Sequence, residues 1–145
     1  MIGLLQRVVS ASVTSDERLI GNIDRGLLVL VAVHRDDEER DIARLAERIL
    51  TYRVFPDAED RMNLSVQDVS GGLLLVPQFT LTADTRKGTR ASFTKAADPE
   101  KATAYFDELV SLCRSQLERV ETGQFGANMK VHLINDGPVT FWLES

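Results

Sequence analysis

An unbroken apolar run, GLLVLVAV at residues 26–33, is the strongest indication of how this chain folds. A strand covered on both faces has a continuous apolar run, whereas a half-exposed strand alternates between apolar and polar residues. The run therefore predicts a central strand of a sheet. A second apolar run, LLLV at residues 73–76, follows two glycines and predicts a further buried strand.

Strand and helix signals lie on both sides of these runs. Ahead of them, β-branched and alternating residues at 4–13 and 19–23 predict two strands. After the first run, Asp36 or Asp37 is expected to cap a helix, because apolar residues follow at helical spacing. That apolar stripe comprises Ile42, Leu45, Ala46, Ile49 and Leu50.

The second half of the chain carries a clear helix start at Asp98-Pro99-Glu100, which combines a cap, a proline at the first helical position and an acid in the first turn. Strands are predicted at 120–123, 129–134 and 139–143, and residues 136–138 are expected to separate the last two. The chain is thus predicted to be a single α/β domain, residues 1–145. It should be strand-rich, with mixed β-sheets in a barrel-like or layered arrangement and two main helices.

Composition predicts a soluble cytoplasmic protein that makes no use of a membrane. Of the 145 residues, 43% are hydrophobic and 27% are charged, and no apolar run approaches the roughly 20 residues of a membrane span. The chain opens without the basic and apolar segments of a secretory signal. Its one cysteine, Cys113, excludes an internal disulfide and suits a reducing compartment. This cysteine falls on the apolar stripe of the second helix and is expected to be inert core.

The net charge of −5 disfavours a nucleic-acid partner, but the charge is unevenly distributed. Residues 85–97 contain no acid and include Arg86, Lys87, Arg90 and Lys95. Such a stretch can hold phosphates, or it can be a solvated surface loop. Charge alone leaves both interpretations open.

Standard catalytic and cofactor motifs are absent. The two histidines, His34 and His132, lie far apart without a cysteine nearby, so a metal site built on His and Cys spacing is not expected, and no dinucleotide-binding fingerprint occurs. Two segments remain unusual. Residues 77–81, PQFTL, place a proline at the end of a buried strand, where α/β proteins commonly bind ligands. Residues 135–140, NDGPVT, contain a Gly-Pro bond. Together with the long loop that follows residue 81, these segments indicate a site.

The chain resembles the D-aminoacyl-tRNA deacylase family over almost its whole length. The resemblance is carried by separated motifs that occur in the right order: QRV at 6–8, ASV at 11–13, Arg53, Phe55, Asp57, MN at 62–63, SV at 65–66, QFTL at 78–81, KG at 87–88, Arg90, SF at 92–93, TG at 122–123, FGA at 125–127, Met129 and NDGPVT at 135–140. One departure is Pro77, which stands where the family usually has serine. It removes a hydroxyl and a backbone donor from that position.

The resemblance implies a homodimer whose active sites lie at the subunit interface. Each site would hydrolyse the ester joining a D-amino acid, or glycine, to the terminal ribose of tRNA. The Gly137-Pro138 peptide is expected to be cis and to enter the partner's pocket, where its carbonyls hold the substrate amino group and an L side chain clashes. Arg7 would tether this motif. Phe125, Gly126 and Met129 would line an adenosine pocket, and Arg86, Lys87 and Arg90 would contact tRNA phosphates.

Two mechanisms remain open for the hydrolysis, and both involve residues 78–80. In one, the 2′-hydroxyl of the terminal adenosine assists, and backbone amides near Gln78 and Phe79 stabilise the oxyanion. In the other, Thr80 is the nucleophile, which requires a nearby base that the sequence does not reveal. Two other classes of function also stay open: a non-catalytic RNA-binding module and a small-molecule esterase.

Overall fold

The computed structural model describes all 145 residues as a six-stranded mixed sheet with two helices packed against it. In chain order the elements are β1 (Ile2–Ser15), β2 (Arg18–Ile23), β3 (Gly26–Ala32), α1 (Glu39–Thr51), β4 (Phe55–Pro56), β5 (Met62–Leu64), β6 (Gly72–Pro77), a 3-10 helix (Phe79–Thr82), α2 (Pro99–Arg114), β7 (Val120–Thr122) and β8 (Met129–Glu144). Strands β4 and β5 form a separate small hairpin.

The sheet is built around β1, β3 and β6. Strand β1 pairs antiparallel with β2, β3 and β8, while β3 pairs parallel with β6 and β6 pairs parallel with β7. Strand β2 also approaches β6 and β7, which curls the sheet towards a barrel. The apolar runs at 26–33 and 73–76 are therefore neighbours in the centre of the sheet, as their composition predicts.

Both faces of the central strands are buried. On one face, alternate side chains such as Leu27, Val29 and Leu75 join the main core with the helices, and on the other Leu28 and Leu74 join a smaller cluster. Two glycines allow β3 and β6 to begin side by side. A Cβ added at Gly26 would overlap the backbone of Gly72, so any larger residue would push the strands apart.

Both predicted helices are present with the predicted stripes. The five expected residues of α1 are buried, and Asp98 caps α2 by accepting from the Lys101 amide at 2.9 Å. Cys113 is fully buried, and burial raises the pKa of its thiol to about 12, so it stays protonated as core. The buried side chains of α2 include Phe106, Leu109 and Cys113.

Two local predictions were wrong. Helix α1 is preceded by Glu38, whose amide is bound by the Asp41 carboxylate at 2.8 Å, while Asp37 turns back to the His34 amide at 2.6 Å. Residues 136–138 do not separate two strands, because β8 runs continuously from Met129 to Glu144. Its pairing with β1 shifts register around Val8 instead, so the irregularity is absorbed as bulges.

Candidate functional site

An apolar pocket opens at the carboxyl ends of β3 and β6. Its volume is about 470 Å³, within the usual range for a small-molecule site. Four parts of the chain line it. They are residues 31–33 at the end of β3, residues 76–79 at the end of β6 and the start of the 3-10 helix, Ala97, Pro99, Ala102 and Phe106 at or near the start of α2, and residues 125–127, 129 and 131. Five of the expected site residues thus share one cavity: Gln78, Phe79, Phe125, Gly126 and Met129.

The Met129 side chain is held in position by the neighbouring residues 123 and 124. Its sulfur accepts from the Gln124 amide at 3.3 Å and lies 2.9 Å from where a Cβ on Gly123 would stand. The other lining residues, such as Val31, Val76 and Phe106, were not recognised as site residues from the sequence. Their apolar side chains at strand ends and on a helix stripe give the same pattern as ordinary core.

The backbone at the pocket rim offers hydrogen-bond donors from the 3-10 helix. The Gln78 amide is not one of them, since it donates to the Val31 carbonyl at 2.7 Å and so extends the β3–β6 ladder. This corrects the expectation that the amides of Gln78 and Phe79 act together. Phe79 and Thr80 begin the 3-10 helix, where amides have no partner within the helix. The amides of Phe79 and Thr80 are therefore the donors that this end of the 3-10 helix can offer to a ligand.

The Thr80 side chain is exposed and already hydrogen-bonded. Gln78 Nε2 donates to Thr80 Oγ1 in a short contact. A side-chain amide cannot take a proton from a hydroxyl, so this neighbour does not serve as a general base. The hydroxyl is thus positioned as an acceptor.

The Gly137-Pro138 peptide is cis and lies exposed on β8. Arg7 reaches it from β1: its Nε donates to the Asp136 carbonyl at 2.9 Å and its Nη1 donates to the Val54 carbonyl at 2.6 Å. On the other side, Asn135 Oδ1 accepts from the Val139 amide at 2.7 Å. The segment is therefore fixed at both ends by side chains.

Within one chain, the pocket and the Gly-Pro segment are separate. Neither Gly137 nor Pro138 lines the cavity that contains Gln78 and Phe79. Several large apolar side chains are also exposed, including Val9 on β1 and Ile134 on β8, which are 52% and 58% exposed. Exposed apolar side chains on neighbouring strands are typical of a surface that another chain covers.

The basic loop, residues 84–92, lies next to the pocket. Asp84 and Ser92 close it with two backbone hydrogen bonds of 2.8 and 3.0 Å. Phe93, at its end, packs against Phe79 with ring centroids 5.2 Å apart. Lys87 and Arg90 are exposed and form no ion pair.

Arg86 differs from Lys87 and Arg90 because it pairs with Asp84, an acid that lies just before the acid-free stretch 85–97. Arg86 Nε donates to Asp84 Oδ1 at 2.9 Å, and this hydrogen bond holds the pKa of Asp84 well below its usual range. The structure therefore leaves two free cations on this loop instead of three. No group of three or more His, Cys, Asp or Glu side chains converges on a possible metal position. Neither helix is long and apolar enough to cross a bilayer.

Comparison with known proteins assigns the chain to a family. The model of the family described as D-Tyr-tRNA(Tyr) deacylase matches residues 4–144. A D-aminoacyl-tRNA deacylase from Alkalilimnicola ehrlichii is 61% identical over 100% of this chain and 97% of its own. A protein of the same name from Escherichia coli is 54% identical over 99% of both chains.

Solved structures show the same fold. One, named c-Myc DNA Unwinding Element Binding Protein, superposes with a TM-score of 0.95 at 36% identity, covering 100% of this chain and 99% of that chain. A probable eukaryotic D-amino acid tRNA deacylase superposes with a TM-score of 0.86 at 17% identity, covering 99% of this chain and 98% of that one. The strand-rich mixed sheet with two helices is thus confirmed as the fold of this group.

Proposed function

The chain belongs to the D-Tyr-tRNA(Tyr) deacylase family, and we propose that it hydrolyses the ester between a D-amino acid and the terminal ribose of tRNA. The products are the free D-amino acid and intact tRNA, and the enzyme works in the cytoplasm without a cofactor. The observation that carries the proposal is the apolar pocket at the ends of β3 and β6, which is bordered by Gln78 and by Phe79 at the start of the 3-10 helix.

The cavity suits the terminal adenosine of tRNA. Twelve of its sixteen lining residues are hydrophobic, so it favours a flat, largely apolar ring system. Phe79, Phe125, Gly126 and Met129 are among the residues that line it. With the base seated here, the ribose and its ester would reach the rim formed by the 3-10 helix.

Hydrolysis at this rim needs no protein nucleophile. Water adds to the ester carbonyl, the bond to the ribose 3′ oxygen breaks, and the proton lost by water ends on that oxygen. The adjacent 2′-hydroxyl can relay this proton, since it both donates and accepts. The amides of Phe79 and Thr80 would stabilise the negative charge that develops on the carbonyl oxygen.

The engaged Thr80 hydroxyl supports the RNA-assisted mechanism. Because Thr80 accepts from Gln78 and lacks a base, it is poorly activated for attack. Thr80→Ala should therefore retain activity within about tenfold, whereas a tRNA ending in 2′-deoxyadenosine should be nearly inert. A dead variant combined with a competent deoxy substrate would assign the chemistry to Thr80.

Selection for D substrates is proposed to come from a second subunit. The Gly137-Pro138 segment of one protomer would enter the partner's pocket, and its carbonyls would accept from the substrate amino group. An L side chain would then meet fixed backbone, while a D side chain or the hydrogen of glycine would not. The separation of pocket and segment within one chain, and the exposed apolar side chains, support this homodimeric arrangement.

The proposed activity is tested by offering the protein D-tyrosyl-tRNA and following both ester loss and RNA integrity. Release of tyrosine from intact RNA supports the deacylase. Binding of RNA without ester loss would indicate a non-catalytic RNA-binding module. Equal turnover of a simple D-tyrosine ethyl ester would indicate a small-molecule esterase.

A further inference from the structure

A second concave surface lies at the end of α1 and is not part of the Gln78 pocket. This surface, here called the arginine groove, has a volume of about 830 Å³ and is shallow. Its walls include Arg44, Glu47 and Arg48 of α1, Tyr52 and Arg53 after the helix, and Phe141 of β8. The proposed function makes no use of it.

The groove concentrates positive charge on an acidic protein. It contains three arginines and one glutamate, although the whole chain has a net charge of −5. None of the three arginines forms an ion pair with a carboxylate, unlike the exposed Arg61 and Arg119 elsewhere on the surface. Arg53 donates only to the Asn63 side chain, at 3.3 Å, so most of its five donors are available.

The floor of the groove is aromatic and holds one arginine in place. Tyr52 and Phe141 pack with centroids 5.5 Å apart and planes at 56°, and the Arg48 guanidinium lies 5.8 Å from the Tyr52 centroid. Both rings are partly buried against the core. They are therefore occupied in packing, and the groups offered to a ligand are guanidinium donors. Such donors match phosphate oxygens.

The groove is linked to the Gly137-Pro138 segment by short connections. Arg7 binds the carbonyls of both Val54, next to Arg53, and Asp136, next to Gly137. Phe141 follows Pro138 by three residues on the same strand, about 10 Å at the usual rise. In the dimer proposed above, this segment enters the partner's pocket, so the groove would border the substrate bound there.

We infer that the arginine groove binds the sugar-phosphate backbone of the tRNA near its aminoacylated end. The inference rests on the proposed function, because it takes the same tRNA as the ligand. Guanidinium groups on phosphates provide affinity without reading the base sequence, so the groove would serve tRNAs of many identities. It would add to the phosphate binding of the basic loop at 84–92.

The test compares Arg44→Ala, Arg53→Ala and the double variant with Arg18→Ala, which removes an exposed arginine at the start of β2. Two substrates are used: D-tyrosyl-tRNA and D-tyrosyl-adenosine, which has no phosphate. The double variant should raise KM for the tRNA about tenfold and leave kcat nearly unchanged, because uniform binding is removed. Kinetics on D-tyrosyl-adenosine should not change, and neither should those of Arg18→Ala.

A salt titration gives a second readout. The slope of log affinity against log salt, measured with uncharged fluorescent tRNA, should decrease by about two in the double variant, because two phosphates are no longer neutralised. Unchanged KM and slope would overturn the inference, as would an equal rise in KM on D-tyrosyl-adenosine. A wild-type protein that fails to cleave D-tyrosyl-tRNA would refute the proposed function, and the binding titration would still decide whether the groove holds RNA.

Discussion

At the scale of single residues, Arg7 links three parts of the chain. Arg7 lies on β1, and its guanidinium donates hydrogen bonds to the carbonyls of Val54 and Asp136, with the Asp136 carboxylate 3.5 Å away. Only 12% of its side chain is exposed, so these bonds are little weakened by solvent. Arg7 therefore holds one end of the Gly137-Pro138 segment, while Asn135 holds the other.

Replacing Arg7 should release that segment. Arg7→Ala leaves two carbonyls without their donor, which costs about 1–3 kcal/mol in unfolding free energy. If the segment acts in the site, kcat/KM on D-tyrosyl-tRNA should fall about 10- to 100-fold. Arg7→Lys keeps the charge but not the planar fork, so an intermediate loss is expected. Chemical denaturation and single-turnover kinetics measure the two effects, and a fully active Arg7→Ala protein would contradict the tethering role.

Gly137 cannot carry a side chain without strain. Its φ of +141° is rarely adopted by other residues, and an added Cβ would lie 2.7 Å from Val139 Cγ2 and 3.0 Å from the Val139 amide nitrogen. Gly137→Ala should therefore cost about 1–3 kcal/mol of stability and reduce turnover of D-aminoacyl-tRNA and glycyl-tRNA alike.

Gly88→Ala is the matched control for Gly137→Ala. Gly88 has a φ of +67° and no atom within 4 Å of its Cβ position, so Gly88→Ala reports the cost of a left-handed backbone without crowding. Thermal denaturation of both variants separates the two contributions. Equal small losses in the two proteins would show that Gly137 is not crowded.

Some residue-level features could not be predicted because they depend on contacts distant in sequence. The Gln78 amide is engaged by Val31, far earlier in the chain, and only the parallel pairing of β3 and β6 reveals this. Asp36 or Asp37 was expected to cap α1, but Glu38 precedes the helix. The Asp37 carboxylate binds the Met1 amino group, far away in sequence, and the His34 amide instead.

At the scale of elements, the basic loop at 84–92 is a closed unit whose three cations are not equivalent. Arg86 is committed to Asp84, whereas Arg90 is exposed and free. If the loop contacts phosphates, Arg90→Ala should raise KM for tRNA severalfold and lower the salt slope by about one. Arg86→Ala should have a smaller effect on the slope, since its charge is already compensated. Equal salt slopes in both variants and the wild type would indicate that the loop does not contact phosphates.

The elements themselves were largely predictable, with two exceptions that have different causes. Strands β3 and β6 and both helices carry strong local patterns, so their existence and type follow from the sequence. The long loop predicted from residue 82 begins after a 3-10 helix, a short element without a periodic signature. Strand β8 was expected to break at 136–138, but β1 offers it hydrogen bonds along both halves.

At the scale of the whole molecule, the proposed site needs two chains. The pocket holds Gln78 and Phe79, and the Gly-Pro segment lies elsewhere on the surface. No periodicity in a single sequence can show which surfaces two copies share. For this reason the dimer follows from the family resemblance and not from the residue pattern, and it stays a prediction.

The dimer should be stable and required for activity. Sedimentation at micromolar concentration should give one species of twice the chain mass of 16.2 kDa. Burying Ile134, now 58% exposed, is expected to contribute, so Ile134→Glu should favour the monomer and reduce activity in proportion. Leu19→Glu is the control, since Leu19 is equally exposed, at 60%, but lies on β2. A monomer with full activity would contradict the two-subunit site.

Whether this chain is a deacylase that accepts D and rejects L substrates can be decided by one paired experiment. The same tRNA is charged with D-tyrosine or L-tyrosine, and ester loss is followed at equal enzyme concentration against a control without enzyme. We expect rapid loss of D-tyrosine while L-tyrosyl-tRNA decays at the uncatalysed rate. We also expect Gly137→Ala to slow the D reaction and leave the RNA intact. Equal hydrolysis of the two substrates would contradict the selection for D-tyrosine, and hydrolysis of neither would contradict the deacylase activity.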